Sequence, residues 1–517
     1  MRKNLRKLLF TAFCFFLFGA CSNKGIPANS DAEKSDDSLK EEDDYGITVH
    51  DIEAYAAPLR PSYHYSAQNS WLNDPNGLVY FNGIWHMYYQ TNPGSNVNGN
   101  MHWGHAVSDD LIHWSEKDIA LYPYPDGTGY MWSGTAYADD ENRSGLFDET
   151  GSGIIAAFST DTQQIGLAYS TDGYKYKKLG IVIPNPGVKD FRDPKLFWHE
   201  ESGKWIMVVA GGEVSIYSSV DLKKWTPESK TGIFTECPDL FKIKIKGTDS
   251  EKWILTCGSR GYYIGSFDGS KFVPESEYIT MNEGPDFYAG IIFNNAPDDR
   301  VIMIAWMNNW AYTMPPDGIW NGNMSLPVEL VLENIDGIGL RLKQKPVAEA
   351  ASLDWNTLIE SNNVFLSSGN DALSGVLSSS FCLKLSIDMT MTEDFRLEIC
   401  KSEKESVILQ FDKKSRTFCF DRTGLQNIIP DMKAAGIYEF SLSEKDAADD
   451  SFDICIYVDK STFEMYAGEG LYTFSARIQP DTSSKGMSMT SESGCLINHI
   501  EVKTLKSIWF GEYIPEQ

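Results

Sequence analysis

The sequence predicts an all-β protein in which a five-bladed β-propeller is followed by a C-terminal β-sandwich. The first signal for the propeller is a short motif that precedes an apolar run at five places. These motifs recur about every 45 to 60 residues, somewhat above the roughly 40 to 50 residues of common propeller repeats. The five motifs are Asn73-Asp74-Pro75, Trp132-Ser133-Gly134, Arg192-Asp193-Pro194, Cys237-Pro238-Asp239 and Asp286-Phe287-Tyr288.

A second repeating signal lies between these motifs, where an aspartate comes four residues before an aromatic residue. It occurs at Asp110 and Trp114, Asp172 and Tyr176, Asp221 and Trp225, and Asp268 and Phe272. The intervening runs are short, β-branched or aromatic, and bounded by Gly, Asp, Asn or Pro, which favours strands. If each blade opens with its innermost strand, the five motifs converge at one end of the central channel.

The C-terminal third has a different pattern, which begins at about Ala350. Apolar and polar residues alternate there in short segments separated by polar turns, as is typical of a β-sandwich. We therefore assign residues 55–349 to the propeller and 350–517 to the sandwich, and we interpret the stretch from Leu326 to Pro346 as their connection. The clearest alternating segments are Phe381–Ile387, Arg396–Cys400, Val407–Phe411 and Phe452–Val458.

The N-terminal residues predict export and anchoring. Residues 1–20 combine a basic start with a short apolar run, which indicates a secretion signal. The run ends in Phe-Gly-Ala before Cys21 and resembles a bacterial lipobox, so Cys21 is the expected lipidation site. An ordinary cleaved signal with an incidental cysteine is the alternative. Residues 21–54 are polar and acidic and predict a flexible tether. Ser22 favours the outer membrane of a bacterial cell envelope.

Composition excludes one large class of partners. The formal net charge is −27, which argues against nucleic-acid binding because the phosphate backbone repels an acidic surface. Beyond Cys14 and Cys21, the cysteines are scattered and include no Cys-x-x-Cys pair. In a long chain with ample apolar content this predicts buried thiols more than a disulfide framework, with a single bridge in the C-terminal half left open.

Three carboxylates in the motif regions are the candidate catalytic residues. Asp74, Asp193 and Glu236 would become neighbours at the end of the channel. Like charges that share a site raise each other's pKa, so such a cluster is costly and points to a function. Two carboxylates that flank a glycosidic bond suffice for its hydrolysis, because one attacks or activates water and the other protonates the leaving oxygen.

The neighbours of each carboxylate suggest how the roles divide. Asn73 and Asn76 can donate hydrogen bonds that keep Asp74 ionised, which favours Asp74 as the nucleophile. Arg192 is expected to keep Asp193 charged, so that Asp193 can bind sugar hydroxyls.

Glu236 is the expected acid. Its neighbours Phe234, Cys237 and Pro238 make its surroundings less polar, which favours the protonated form of a carboxyl group.

The combination of Trp-x-Asn-Asp-Pro-Asn-Gly, Arg-Asp-Pro and Glu-Cys-Pro resembles glycoside hydrolase family 32, which contains invertases, inulinases and levanases. The resemblance spans about residues 60 to 510 in the order of the family. It implies a propeller with a sandwich and a retaining mechanism through a fructosyl-enzyme. Further matching segments are Tyr89-Gln90-x-Asn92-Pro93, Trp103–Ser108, Asp286–Ala289, Met324–Pro327 and Val458–Ser461 with Glu464.

The resemblance also implies roles for individual residues. Asp74 would be the nucleophile, Glu236 the acid/base and Asp193 the stabiliser of the transition state. No cofactor is implied, and the expected substrate is a fructan or sucrose acted on by a monomer. The residues expected to bind the substrate are Asn73, Gln90, Trp132, Ser133 and Arg192, with Trp306 as an apolar wall.

One segment departs from the family pattern. Members often carry Trp-Gly-Asn where this chain has Asn98-Gly99-Asn100, so an aromatic wall at the pocket entrance is missing. The departure leaves the preference among levan, inulin and sucrose open.

Two other functions remain open beside hydrolysis. A fructosyltransferase would use the same residues and pass the fructosyl group to a sugar. A non-catalytic glycan-binding lipoprotein would not need the intact carboxylates. His102 and His105 have the spacing of two metal ligands, but no third ligand is evident, and no metal is expected.

Overall fold

The computed structural model describes residues 55–123, 129–312 and 320–509. The predicted signal peptide, the lipidation site Cys21 and the acidic tether therefore lie outside the described residues. Within these ranges, five sheets form the blades of a propeller and two further sheets form a sandwich. The predicted fold class is confirmed.

The five blades follow one another along the chain. Blade 1 contains β1 (Ser70–Phe81), β2 (Ile84–Asn92), β3 (His102–Ser108) and β4 (Ser115–Leu121). Blade 2 contains β5 (Met131–Asp139), β6 (Gly153–Thr160), β7 (Ile165–Ser170) and β8 (Lys177–Ile183). Blade 3 contains β9 (Arg192–His199), β10 (Lys204–Ala210), β11 (Ser215–Ser219) and β12 (Thr226–Lys230).

The last two blades carry additions to this plan. Blade 4 contains β13 (Pro238–Lys244), β14 (Glu251–Cys257), β15 (Gly261–Phe267), β16 (Phe272–Pro274) and β17 (Ile279–Thr280). Blade 5 begins with β18 (Tyr288–Ile292) and β19 (Ile302–Trp306), with the short 3₁₀ helix Pro297–Asp299 between them. A short strand, β20 (Trp320–Asn321), then pairs in parallel with β1 and so belongs to the sheet of blade 1. Blade 5 is completed by β21 (Val328–Ile335) and β22 (Gly339–Pro346).

The aspartates of the second repeating signal close turns between the third and fourth strands of four blades. Each carboxylate accepts hydrogen bonds from the backbone N–H groups two and three residues ahead, at 2.8 to 3.0 Å. An aspartate that bonds its own backbone in this way stabilises a tight turn. The four turns are those of Asp110, Asp172, Asp221 and Asp268.

The first strands of successive blades lie side by side around the central channel. Blade 5 closes the ring on blade 1, because Tyr80 N donates to Asn294 O and Asn294 N donates to Leu78 O, both at 3.0 Å. Lower in the channel, Lys195 Nζ lies 2.7 Å from Asp239 Oδ1, and both side chains are buried. The ring therefore fixes the leading ends of the five first strands relative to one another.

The predicted connection between the domains is wrong in one respect. Residues 328–335 and 339–346 form the outer strands β21 and β22 of blade 5, and β21 pairs with β19 through Ile302 and Glu329. The long stretch between β19 and β21 separates two strands that pair, so the repeat spacing did not reveal them. The link to the sandwich is the 3₁₀ helix Ala348–Leu353, which leads directly into the next strand.

The sandwich packs two sheets over a second apolar core. Its alternating segments place one face inside, as in the pattern of Phe395, Leu397 and Ile399.

Two short helices lie between strands of the sandwich, namely the α-helix Pro430–Ala434 and the 3₁₀ helix Asp446–Ala448. The first sheet contains β23 (Asp354–Leu366), β24 (Ser380–Asp388), β29 (Phe452–Asp459), β30 (Thr462–Ala467), β31 (Tyr472–Arg477) and β33 (Cys495–Leu505). The second contains β25 (Asp394–Lys401), β26 (Val407–Asp412), β27 (Thr417–Asp421), β28 (Ile437–Ser441) and β32 (Gly486–Thr490).

The cysteines between Cys237 and Cys495 are free thiols in the described part of the chain. The sulfur atoms of Cys382 and Cys455 lie 3.6 Å apart on the paired strands β24 and β29. None of the helices in these residues is long and apolar enough to cross a membrane.

A buried histidine joins the two domains. His64 precedes the first blade, and its ring lies 3.0 Å from Asp459 Oδ2 and 2.8 Å from Glu464 Oε2 of the sandwich. Burial alone would lower the pKa of His64, but the hydrogen bonds to the two carboxylates outweigh it and raise the pKa to about 9. The imidazolium is therefore the stable form at neutral pH.

The pKa of His64 predicts how stability changes with pH. Because its folded pKa is above the usual 6.5, its contribution is complete below about pH 6.5 and is lost as pH rises through about 9. A shift of this size corresponds to about 3 kcal/mol. We expect His64→Gln to be less stable than wild type near pH 6, with the difference shrinking by that amount near pH 10. Chemical unfolding at both pH values checks this, and parallel changes in the two proteins would contradict it.

Candidate active site

The first strands of the blades are distorted where they reach the channel opening. Pairing shifts register near the start of β1, β5, β9 and β18, as in β-bulges. Asp193, Cys237 and Ala289 have left-handed backbone angles, with φ of 56°, 43° and 53°. Bulges and strained residues of this kind re-aim side chains and are frequent next to active sites. The distortions turn the motif side chains toward one another.

Asp74 lies at the bottom of the site and is buried. Ser133 Oγ donates a hydrogen bond to Asp74 Oδ2 at 2.6 Å, and Cys237 Sγ lies 3.7 Å from the same oxygen. Burial raises the pKa of Asp74, and the hydrogen bonds from Ser133 and Asn73 only partly oppose it. The hydrogen bond from Asn73 acts in the predicted direction, but desolvation is the larger effect.

The Asn76 side chain pairs with Gln90. Its side-chain amide lies 2.8 Å from Gln90 Nε2, so it supports the predicted pocket residue Gln90 and not the carboxylate. Gln90 itself is buried on β2. These two residues form a polar layer beside Asp74.

Asp193 is the second buried carboxylate. Its Oδ2 accepts a hydrogen bond from Cys237 N at 3.0 Å and lies 3.6 Å from Arg192 Nε, while its own N–H donates to Ser159 Oγ at 3.2 Å. Burial raises the pKa of Asp193 to about 6, although Arg192 acts in the opposite direction. Arg192 was expected to keep this group charged. With a pKa of about 6, Asp193 is mostly ionised at neutral pH, and its burial narrows that margin.

Glu236 is the accessible member of the cluster. Arg192 Nη2 donates to its Oε1, and Tyr288 OH donates to its Oε2. Its side chain is 40% exposed, so it can exchange protons with solvent. Phe234 was expected to make these surroundings less polar, but it is 73% exposed and has no such role. Tyr288 bonds Glu236 through its hydroxyl group and was not recognised as a site residue.

Aromatic rings surround the opposite side of Asp74. Trp71 Nε1 donates to Asn73 Oδ1 at 2.7 Å, which fixes the amide next to the carboxylate. Trp306 is fully buried against Trp71 and Trp310, with ring centroids 6.0 and 4.9 Å away. Trp310 is the exposed ring, at 46%. Sequence reasoning missed Trp310, because no motif marks it.

Trp132 and Arg192 meet above the carboxylates. The Arg192 guanidinium carbon lies 5.8 Å from the centre of the Trp132 ring, an arrangement in which a cation and an aromatic face attract each other. Arg192 therefore contacts Asp193, Glu236 and Trp132 at once. The predicted site residues in the described ranges lie in or directly behind this one region.

A cleft of about 500 Å³ opens beside Glu236. Its lining combines charged side chains with apolar surface and comes from blades 3, 4 and 5. It includes Lys189, Asp190, Thr235, Arg260 and Tyr288.

Two further sequence features lie in blade 1. Asn98 is exposed in the loop between β2 and β3, where Asn92 Nδ2 donates to Val97 O at 2.9 Å. His102 bonds the Asn100 carbonyl, whereas His105 is buried against His86 at 3.1 Å. Burial lowers the pKa of both histidines, and His105 belongs to the packing between blades 1 and 2.

Paired carboxylates at the opening of a propeller, with one shielded and one accessible, define the class of carbohydrate-cleaving enzymes that use two acidic side chains. The model of the glycosyl hydrolases family 32 N-terminal domain matches residues 64–346, and that of the family's C-terminal domain matches residues 352–508. The chain belongs to glycosyl hydrolase family 32.

Similar proteins extend over both domains. A levanase of Bacillus subtilis (strain 168) is 32% identical over 90% of this chain and 73% of its own length. An extracellular exo-inulinase of Aspergillus ficuum is 30% identical over 88% of this chain and 96% of its own length. The crystal structure of an exo-inulinase from Aspergillus awamori superposes with a TM-score of 0.80 at 30% identity, covering 88% of this chain and all of the other.

The raised pKa of Asp193 predicts a cost in stability. Its folded pKa of about 6 is above the usual 3.8, so the charged carboxylate destabilises the fold above about pH 6 and has no cost below 3.8. We expect Asp193→Asn to be more stable than wild type near pH 7.5 by up to about 3 kcal/mol, with little gain near pH 4. Unfolding measurements at both pH values check this. A variant less stable than wild type near pH 7.5 would contradict it.

Proposed function

We propose that the protein hydrolyses β-fructofuranosidic bonds of fructans with Asp74 as nucleophile and Glu236 as acid/base. The protein is a glycosidase that acts on β-fructosides, and the division of roles rests on one observation. Asp74 is shielded from solvent and bonded by Ser133, whereas Glu236 is accessible at the edge of an open cleft. A nucleophile needs an ordered, dry position, and an acid/base must exchange its proton with water.

The reaction proceeds in two steps. In the first, an oxygen of Asp74 attacks the anomeric carbon, the glycosidic bond breaks, and Glu236 gives its proton to the leaving oxygen. In the second, Glu236 accepts a proton from water, the water oxygen attacks the same carbon, and the ester bond to Asp74 breaks. Fructose leaves and both carboxyl groups return to their initial states.

Asp193 and Arg192 assist without forming bonds to the sugar carbon. Positive charge develops on the ring in the transition state, and the nearby Asp193 carboxylate stabilises it electrostatically. Arg192 bonds Glu236 and lies 3.6 Å from Asp193, so it holds the two groups in a fixed relation. Asn73, Gln90 and Ser133 offer hydrogen bonds to the sugar hydroxyls.

Substitution of either principal carboxylate tests the roles. Asp74→Asn removes the nucleophile and Glu236→Gln removes the exchangeable proton, so we expect kcat to fall by about 10² to 10⁴ or more. Fructose release from levan is the measurement. Glu201→Gln is the matched control, because Glu201 is a surface carboxylate that bonds Lys242. A folded Asp74→Asn or Glu236→Gln protein with more than about a tenth of wild-type kcat would overturn the assignment.

The substrate preference is proposed to be for polymers. The cleft beside Glu236 is open to solvent, and Asn98 offers no ring on which the glucose unit of sucrose could stack. Relatives named levanase and exo-inulinase support this preference. We propose that levan is preferred over inulin by a small margin.

Asn98→Trp tests that preference. A stacking contact is worth roughly 1 to 3 kcal/mol, or about ten- to two-hundredfold in discrimination. We expect the variant to gain kcat/KM for sucrose relative to levan. A wild-type enzyme that prefers sucrose, or a variant with an unchanged ratio, would contradict the proposal.

We also propose a lipid anchor at Cys21 that holds the protein to the bacterial envelope. The support is the sequence alone, namely the basic and apolar N-terminus before Cys21 and the acidic segment after it. We expect Cys21→Ala to yield soluble protein with normal turnover. Continued sedimentation of that variant with membranes would show that a different anchor is used.

A further inference from the structure

The C-terminal sandwich contacts the propeller along residues 282–288, which end at the active site. Asn282 Nδ2 donates to Ser475 Oγ, and Ser475 N donates to Asn282 Oδ1, both at 3.0 Å. Glu283 N donates to Thr473 O at 2.8 Å. Ser475 and Thr473 lie on β31, the edge strand of its sheet. This propeller segment therefore covers the open edge of the sandwich.

The segment continues to a buried carboxylate held by both domains. Asp286 is fully buried and accepts hydrogen bonds from Asn309 Nδ2 at 2.7 Å and from Tyr312 OH at 2.8 Å, both in the propeller. From the sandwich, Arg477 N donates at 2.8 Å and Arg422 Nη1 at 3.2 Å. A buried carboxylate needs such partners. Removal of one of them leaves the charge of Asp286 partly uncompensated. The position of Asp286 thus depends on Arg422.

Tyr288 follows Asp286 by two residues and is the donor to Glu236 Oε2. The backbone between them has little freedom, since Phe287 is buried and Ala289 has a left-handed φ of 53° with its N–H donating to Gly258 O at 2.9 Å. A displacement of Asp286 must therefore move the Tyr288 hydroxyl relative to Glu236.

We propose that Arg422 of the sandwich is a positioning residue for the reaction, acting through Asp286 and Tyr288 on the acid/base Glu236. In this role the sandwich is a working part of the active site and not only a support for the propeller. The inference rests on the proposed function of Glu236. It adds that a residue in the other domain controls how well Glu236 delivers its proton.

A purely structural role for Arg422 would give a different result. In that case its loss would lower stability but leave the active-site chemistry of the folded enzyme unchanged. His64→Gln provides the matched control, because His64 is also buried and ion-paired across the two domains, with Asp459 and Glu464. Neither of those partners contacts residues 282–288 in the described hydrogen bonds.

The test compares Arg422→Met, Arg422→Lys, Tyr288→Phe and the double variant Tyr288→Phe/Arg422→Met on levan, at a temperature where all are folded. Tyr288→Phe removes a bond to a charged group, and we expect kcat to fall roughly tenfold to a hundredfold. Arg422→Met should lower kcat in the same way with little change in KM. Arg422→Lys should recover part of the loss, because its ammonium can still pair with Asp286.

The split between kcat and KM distinguishes positioning from support. Tyr288 and Arg422 act on proton delivery by Glu236, so Tyr288→Phe and Arg422→Met should both lower kcat and leave KM nearly unchanged. His64→Gln should leave both values unchanged in the folded enzyme. If Arg422→Met does not fold, Asp286→Asn replaces it in the comparison.

The double variant decides whether Arg422 acts through Tyr288. We expect Arg422→Met to have no further effect on kcat in the Tyr288→Phe background, because the bond it positions is already absent. An undiminished further loss, or an unchanged kcat in folded Arg422→Met, would overturn the proposal. If wild type releases no fructose from levan, inulin or sucrose, the proposed function fails, which is a separate outcome.

Discussion

Ring closure is the constraint on which the rest of this structure depends. Five sheets that close on one another bring the leading ends of their first strands to a single opening, and blade 5 completes the ring through the backbone pairing of Asn294 with Leu78 and Tyr80. Carboxylates placed on those ends must share one small and partly dry space. The raised pKa values of Asp74 and Asp193 are the physical cost of that arrangement, and burial is the first cause of both. The fold maintains this cost because the interdigitated blades leave the carboxylates no other position.

Within that space, the carboxyl groups differ in their access to water, and this difference sets their roles. Asp74 is enclosed and bonded by Ser133, whereas Glu236 lies at the cleft with Arg192 and Tyr288 as its partners. A displacement through an ester needs both kinds of carboxyl group, one held dry and one able to exchange protons. The sandwich is also connected to this site, because Asp286 bonds its residues Arg422 and Arg477 and is followed by the strand that carries Tyr288.

The sequence predicted those features that repeat or that depend on local chemistry. Motif starts and turn aspartates such as Asp110 revealed the blades, because each turn is built from backbone groups two and three residues away. The outer strands of blade 5 were missed, since a long stretch separates strands that pair. The surroundings of Asp193 and the roles of Tyr288 and Trp310 were also missed. These features depend on burial and on contacts between segments that are distant in the sequence. No local sequence pattern indicates them.

The two-step reaction requires a covalent bond between Asp74 and fructose during turnover. Mass spectrometry of the enzyme, quenched by acid while it turns over levan and then digested, can locate this bond on a peptide. We expect one added fructosyl unit on the peptide that contains Asp74, and none in Asp74→Asn. A fructosyl unit on Asp193 or Glu236 instead would show that Asp74 is not the nucleophile.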